Sequence, residues 1–565
     1  MATSDIADVL IIGSGASGGA FAWSLSQVPG IRVVCLEQGD WVARPSDSRA
    51  EGGGERQRLV TPPPREGIRH FANGYPYDHS ESYWQPILGN AVGGATVHYA
   101  ALWARLRPSD FVAGSLSGVG EDWPIDYWDL APYYDSNDRM VGVSGIPGNP
   151  AYPPKPVDLM PPHPLNKAGE VLIRGFDRLG WHWWPGERAV VTAPHEDRQP
   201  CPRNCESCHQ GCPREAKNSS DVVHWPAALR NGVVLKTQAR VREITVGGDG
   251  LASGALYYDA DGRLTEQRAR MVVVACNGIG TPRLLLNSRS RYFPHGLANG
   301  SGLVGKGLMG HPKATVVGSF DYEELATPVP ASTFLTSDEF SDSADGRGFA
   351  RGFWILSGAY RGPIEAALGA NPESIASAAP PELAASRASG REVPWGAAHH
   401  AALRERLDQT VALMMYCDEL PEDFNRVELD PELTDDAGIP APKLFYRRGE
   451  NTQKMLDYGM ERCKEVMDAA GATRIVSAEK VAPAPGHYLG TARMGTDPDR
   501  SVVDGWGRAH DVRNLFIIDG SVFTTAASFR RRRYRRSPCG RRTTSRATRG
   551  SCWPRSLRGR AARTL

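Results

Sequence analysis

The feature that most constrains this chain is a glycine-spaced turn between an apolar run and a helix-forming run near its start. Residues 8–12 read as a short buried strand, Gly13-Ser-Gly15-Ala16-Ser17-Gly18 follows, residues 20–25 continue as a helix, and residues 31–36 form a second strand. Gly13 permits the tight turn. Gly15, with Ala16 and Ser17 opening the helix, lets backbone amides approach a pyrophosphate at the helix N-terminus. Gly18 lets helix and strand pack closely. Glu37 ends the second strand, at a spacing beyond Gly18 that lets its carboxylate accept hydrogen bonds from a ribose diol. The four parts together predict a dinucleotide site and leave FAD and NAD both open.

A chain of 565 residues can bury a large core and is expected to make two interleaved structural domains. No uncharged apolar run is long enough to span a bilayer, which places the protein in the cytoplasm by default. The near-neutral formal charge conceals two opposed parts. Residues 530–565 hold 14 arginines and no acid, while residues 1–529 hold 51 basic against 64 acidic residues, a net charge of −13. A tail of that composition reads as a nucleic-acid or anionic-surface binder, or as translation in a shifted frame after Phe529. The abrupt break favours the second reading and counts against nucleic acid as a partner.

Two further glycine-rich segments bear on the nucleotide. Residues 88–103 contain Gly93-Gly94-Ala-Thr96-Val-His98-Tyr99, where glycines allow the backbone to run against a flat ring. Residues 272–285 read as a buried strand, a turn at Asn277-Gly278-Ile-Gly280, and a helix with Pro282 near its start. With Asn425-Arg-Val427 and the segment from His487 to Phe529, these motifs resemble the glucose–methanol–choline (GMC) flavoprotein oxidoreductases in family order over nearly the whole chain to residue 529. Within the family, residues 92–99 and 487–495 look most like the pyranose-oxidase-like branch.

The resemblance implies an α/β fold: a Rossmann-type, glutathione-reductase-like FAD-binding domain with an interleaved α+β substrate domain on an antiparallel sheet. Residues 1–315 and 485–529 would form the FAD-binding domain, 316–484 the substrate-binding domain, and 530–565 an aberrant or disordered tail. It implies oxidation of a CH–OH group of a sugar, aminosugar, cyclitol, glycoside or other alcohol, with oxygen or an electron carrier as final acceptor. His487, before a glycine-rich turn, matches the catalytic base that takes the hydroxyl proton while hydride passes to flavin N5. The matched cofactor positions are Gly13, Gly15, Ala16, Ser17, Gly18, Glu37, Gly93, Gly94, Thr96, His98, Tyr99, Val241, Asn277, Asp519 and Gly520. Some relatives attach the flavin covalently through a histidine placed like His98, and others do not. The family's second catalytic group, an Asn or His, would fall where this chain has Arg530.

Cys201, Cys205, Cys208 and Cys212 crowd into one short segment, spaced C-x3-C-x2-C-x3-C. Thiolates at such spacings can hold zinc or an iron–sulfur cluster, and the loop resembles the cluster-binding loop of some family dehydrogenases that pass electrons to a carrier partner. Paired thiols or a packed loop are the other readings. Trp181, Trp183 and Trp184 suit a sugar site or a core.

Overall fold

The computed structural model describes residues 6–42, 75–84, 86, 88–202, 208, 211–320, 334–344, 346–357, 397, 400, 410–477 and 486–526. The expectations for Cys205, for Phe529 and Arg530, and for the arginine-rich tail lie outside them.

Along the chain, β1 (Ala7–Ile12) leads through α1 (Ala16–Ser26) to β2 (Val33–Leu36), and β3 (Asp78–Ser82) follows. Next come α2 (Tyr127–Val141), α3 (Lys167–Leu179), the two-residue β4 (Trp184–Pro185), α4 (Ser220–Arg230) and β5 (Val234–Lys236). A meander of β6 (Arg240–Val246), β7 (Ala252–Tyr258) and β8 (Leu264–Val274) runs into α5 (Asn277–Asn287). After it stand β9 (Lys313–Ser319), β10 (Leu335–Ser337), β11 (Phe353–Ser357) and β12 (Thr410–Cys417). Last come β13 (Arg426–Thr434), β14 (Pro440–Tyr446), α6 (Glu450–Ala470), β15 (Arg474–Ser477) and β16 (Leu515–Ile517).

The first sheet runs β5-β2-β1-β8-β7-β6, with β16 also paired to β8. β8 serves two neighbourhoods. Its second half lies parallel between β1 and β16, and its first half pairs antiparallel with β7. The parallel part is buried on both faces, so its strands read as continuous Val/Ile/Leu runs rather than as alternation. Leu10, Val34 and Val272 enter one core, while Val9, Val33 and Val273 enter another beneath Trp225 and Ala228 of α4.

The second sheet runs β15-β9-β12-β11-β10-β4. It draws β4, and α3 beneath it, from well before residue 316, and β9 begins at Lys313. One face, carrying Ala314, Ile355, Leu413 and Met415, packs against Leu172 and Phe176 of α3 and Leu456 and Val466 of α6. Strand alternation therefore turns Lys313, Trp354, Met414 and Tyr416 to the other face. β13 and β14 leave this sheet and pair with β3 instead. They are pinned to α5 by Arg283, which bonds to Asp435, Ile439 and Pro440. Among the described residues no helix is long and apolar enough to cross a membrane.

Candidate active site

The glycine turn is held by backbone contacts. Gly13 has φ +97°, donates its amide to Leu36 O at 2.9 Å, and a Cβ there would stand 2.5 Å from Ala275 O. A Cβ on Gly18 would stand 2.0 Å from Gly13 O. At Gly15, by contrast, a Cβ would meet nothing within 4 Å, and no side chain caps α1 there. The first amides of α1, beginning at Ala16 and Ser17, thus form a donor set suited to an anion. Glu37 is only 6% exposed. Its carboxylate accepts Ser14 N (2.9 Å) and Ser14 Oγ (2.6 Å) on one oxygen and Gly39 N (2.8 Å) on the other. Burial pushes its pKa up and these bonds pull it back. The oxygen that accepts Gly39 N keeps a lone pair for a ribose hydroxyl. Val241 sits two residues beyond Ala239, whose amide donates to Glu37 O at 2.8 Å.

The second glycine pair packs directly on the first turn. Gly93 N donates to Ser14 O at 3.1 Å, and a Cβ on Gly94 (φ +53°) would stand 2.9 Å from Gly15 Cα. The loop after it is fixed by internal bonds. Thr96 Oγ1 donates to Gly93 O and accepts Ser220 N at 2.9 Å, and Tyr99 donates to Asn218 O. His98 closes the short 3-10 turn Gly94–Val97 and is half-buried. One element here was missed by sequence reasoning. Buried Lys217 lays its ammonium on the carbonyls of Val97 (2.6 Å), Tyr99 (3.2 Å) and Cys208 (2.6 Å), tying the cysteine loop to the His98 loop.

Asn277 and Asp519 meet. Asp519 accepts Asn277 N at 3.1 Å and Thr281 Oγ1 at 2.6 Å on one oxygen and Ser521 N on the other. Asn277 (φ +68°) caps α5 through the amides of Ile279 and Gly280. Gly520 lies against Tyr488, where a Cβ would stand 2.7 Å from its carbonyl oxygen. Among the described residues, Thr524 Oγ1 is a buried hydroxyl with no hydrogen-bond partner. The uncapped helix, the open side of Gly15, buried Glu37 and this hydroxyl fit a dinucleotide flavin.

His487 is placed by a strand-like crossing. Met309 and Leu489 exchange both backbone bonds at 3.0 Å, so residues two steps outward, His311 and His487, face each other. Their Nδ1 atoms stand 3.0 Å apart with the rings perpendicular. His487 is exposed as a residue, yet the protein crowds its ring closely on the side of His311 and Lys313. Burial, His311 and Lys313, in that order, push its pKa down to about 3. Lys313 opposes Tyr416 across β9 and β12, and the Tyr416 ring lies nearly parallel to His487 at 6.5 Å. Tyr416 in turn stacks on Trp354 at 4.7 Å. His311, Lys313 and Tyr416 were not singled out by sequence, because the crossing of Met309 with Leu489 that gathers them joins segments far apart in the chain.

Beyond Trp354 lies a small hollow of about 30 Å³ lined by Trp103, Tyr152, Trp184, Thr336 and the Lys155–Glu187 ion pair, among others. Of the three tryptophans near residue 183, Trp184 faces this hollow, while Trp181 and Trp183 pack against the core under α3 and α6. Cys201, Cys208 and Cys212 are half-buried, and Arg188 approaches Cys208 Sγ at 4.0 Å. Among the described residues no group of three or more His, Cys, Asp or Glu side chains could hold a metal ion.

Two sequence profiles, both described as GMC oxidoreductase, match residues 8–313 and 421–530. The 2-methyl-1,2-propanediol dehydrogenase of Mycolicibacterium austroafricanum is 37% identical over 93% of this chain and 92% of its own length. The 6'''-hydroxyparomomycin C oxidase of Streptomyces lividus is 31% identical over 91% of this chain and 86% of its own. The fructose dehydrogenase large subunit of Gluconobacter japonicus is 29% identical over 92% and 94%. Pyridoxine 4-oxidase from Mesorbium loti superposes with a TM-score of 0.62 at 17% identity, covering 92% of this chain and 96% of that one, a likeness of fold. FAD is the cofactor, oxidation of a CH–OH group is the reaction, and the chain belongs to the GMC oxidoreductase family.

Proposed function

We propose that His487 is the base of this oxidation and that the substrate is a small diol or polyol lying between His487 and the free face of the second sheet. Gly13, Gly15, Gly18, Glu37, Gly93 and Gly94 would hold FAD at the glycine turn, and FAD bound there would supply the acceptor for the hydride leaving the carbinol carbon. His487 takes the hydroxyl proton at Nε2. The observation that carries this reading is the placement of His487, exposed at the Met309–Leu489 crossing with its Nδ1 held against His311 and its Nε2 edge left for a substrate hydroxyl. Lys313, whose own pKa is lowered by burial, stands on the same wall and offers an N–H to the hydroxyl oxygen. Tyr416 and its stacked neighbour Trp354 extend that wall, and their aromatic faces suit the C–H face of a polyol. Some relatives are named for a diol, an aminoglycoside and fructose.

The test is anaerobic mixing of the FAD-loaded chain with candidate diols and polyols, following the bleaching of flavin absorbance. His487→Ala should bind FAD normally and bleach about 10²–10⁴ times more slowly. Bleaching at the unaltered rate would remove His487 from the mechanism.

A further inference from the structure

We propose that His311 is the positioning partner of His487. It selects the tautomer that makes His487 a base and shares the proton once that base has been protonated. This rests on the assignment of His487 as the base. Two imidazole Nδ1 atoms 3.0 Å apart can hold only one hydrogen between them. If His311 owns it, His487 accepts at Nδ1, its own hydrogen sits on Nε2, and it has no lone pair for a substrate. If His487 owns it, Nε2 is free, and His311 receives the Nδ1–H bond on its own lone pair. Only the second arrangement serves catalysis.

The backbone around His311 is built to hold that ring still. Gly310 N donates to buried Glu419 at 2.8 Å, and Glu419 is fixed from its other oxygen by Tyr446. On the far side, Pro312 O accepts Cys417 N at 2.8 Å. The reciprocal Met309–Leu489 pair then locks His311 opposite His487. The ring is thereby anchored on both sides and from across the crossing.

In the reaction the substrate O–H bond breaks and an Nε2–H bond forms on His487, while the C–H electron pair leaves with the hydride to the flavin of the established activity. His487 becomes an imidazolium, and its Nδ1–H bond to His311 becomes charge-assisted, which strengthens it. This answers a difficulty in the site. An imidazole surrounded by protein and by Lys313 is a poor proton acceptor alone, and a neighbour that shares the new charge offsets that cost. His311 thus plays toward His487 the orienting part that second-layer hydrogen-bond partners play toward ligating or catalytic imidazoles.

The tautomer can be read without turnover. In the FAD-free chain labelled with ¹⁵N-histidine, the signals of His487 are found by their loss in His487→Ala. They should report hydrogen on Nδ1 and none on Nε2, and should revert to the Nε2–H form in His311→Ala. Kinetically, His311→Ala should lower anaerobic flavin bleaching about 10–100-fold with FAD binding and melting midpoint unchanged. His311→Asn, which keeps an acceptor near the Nδ1 position, should recover most of the loss, and added imidazole should partly restore His311→Ala. A His487 carrying its hydrogen on Nε2 in the unaltered chain overturns the proposal, as does an equal loss in the Ala and Asn variants. If His487→Ala is slow and His311→Ala is not, His311 alone is wrong. If His487→Ala is itself unaffected, the base assignment fails first.

Discussion

The parallel sheet around the glycine turn and the antiparallel sheet over α3 and α6 are held together by different kinds of contact. In the first, backbone meets backbone: Gly18 against Gly13 O, Gly13 against Ala275 O, Gly94 against Gly15 Cα. In the second, side chains mostly meet side chains, as with Phe176, Met455, Leu456 and Met467 against Leu413 and Met415, and Gly175 of α3 against Val466 O of α6 is an exception. Backbone atoms cannot change rotamer. The nucleotide half is therefore intolerant at a few positions, while the substrate half can vary its side chains and keep its shape. One frame holding a fixed cofactor beside an adaptable wall suits a family whose named members act on a diol, an aminoglycoside and a sugar.

The sharpest break of that contrast is at Gly18. An alanine Cβ would stand 2.0 Å from Gly13 O and 3.1 Å from Gly13 C, neither of which can swing away. Gly18→Ala must push α1 off β1 and open the turn. We expect a loss of more than about 3 kcal/mol, at the upper end of overpacking costs, together with loss of FAD binding. Flavin fluorescence titration and thermal unfolding measure both. A variant that binds FAD like the parent would show that the turn yields and that the contrast is false.

The same contrast explains what could be read from the sequence. The run from strand to glycines to helix to Glu37 is local, and the structure places it at Ala7–Ile12, Ala16–Ser26 and Val33–Leu36 as periodicity and glycine spacing suggested. Residues 452–469 read as a helix-like stretch in the sequence and form most of α6. The second sheet was only partly legible. Its edge strand β4 has only Trp184 and Pro185, and α3 lies far upstream of the strands it covers. No local pattern announces such pairings. His487 stood out because a recognisable motif surrounds it, whereas His311 needed the crossing of Met309 with Leu489. Trp184 and Trp183 are adjacent, yet Trp184 in β4 faces the hollow while Trp183, just before that strand, packs against the core.

Acid should distinguish the halves next. His224 on α4, within the nucleotide half, is 7% exposed and faces Trp23 at 6.1 Å. Among the described residues its Nδ1 has no partner, and burial lowers its pKa to about 4. Above pH ~6.5 the ring is neutral folded or unfolded and contributes no pH dependence. As the pH falls, the unfolded chain takes a proton that the folded chain refuses until about pH 4, so stability is lost across that window. The loss from this ring approaches roughly 3 kcal/mol. Denaturant unfolding at pH 7 and pH 4 should show it, and His224→Gln should flatten the slope. An unchanged slope would mean that acid acts elsewhere.

The smallest effect is expected at Gly459, and it tests the other side of the contrast. Gly459 lies inside α6, where a Cβ would stand 2.3 Å from Met415 Cε and 2.5 Å from its Sδ. By distance alone this resembles Gly18. The difference is what is touched: the far end of an unbranched side chain with several rotatable bonds, able to move where a peptide carbonyl cannot, and the Phe353 ring edge at 3.0 Å, which need give by only a few tenths of an ångström. Alanine also favours the helix over glycine by about 1 kcal/mol, which offsets much of the cost of moving Met415. Gly459→Ala should therefore change stability by less than about 1 kcal/mol and leave FAD binding unchanged. Because Met415 and Tyr416 are neighbours on β12 that point to opposite faces, repacking beneath the sheet is expected to leave Tyr416 beside His487 in place. A loss comparable to that of Gly18→Ala would show that the substrate sheet is as rigidly packed as the nucleotide turn, and that its adaptability must come from the loops between its strands.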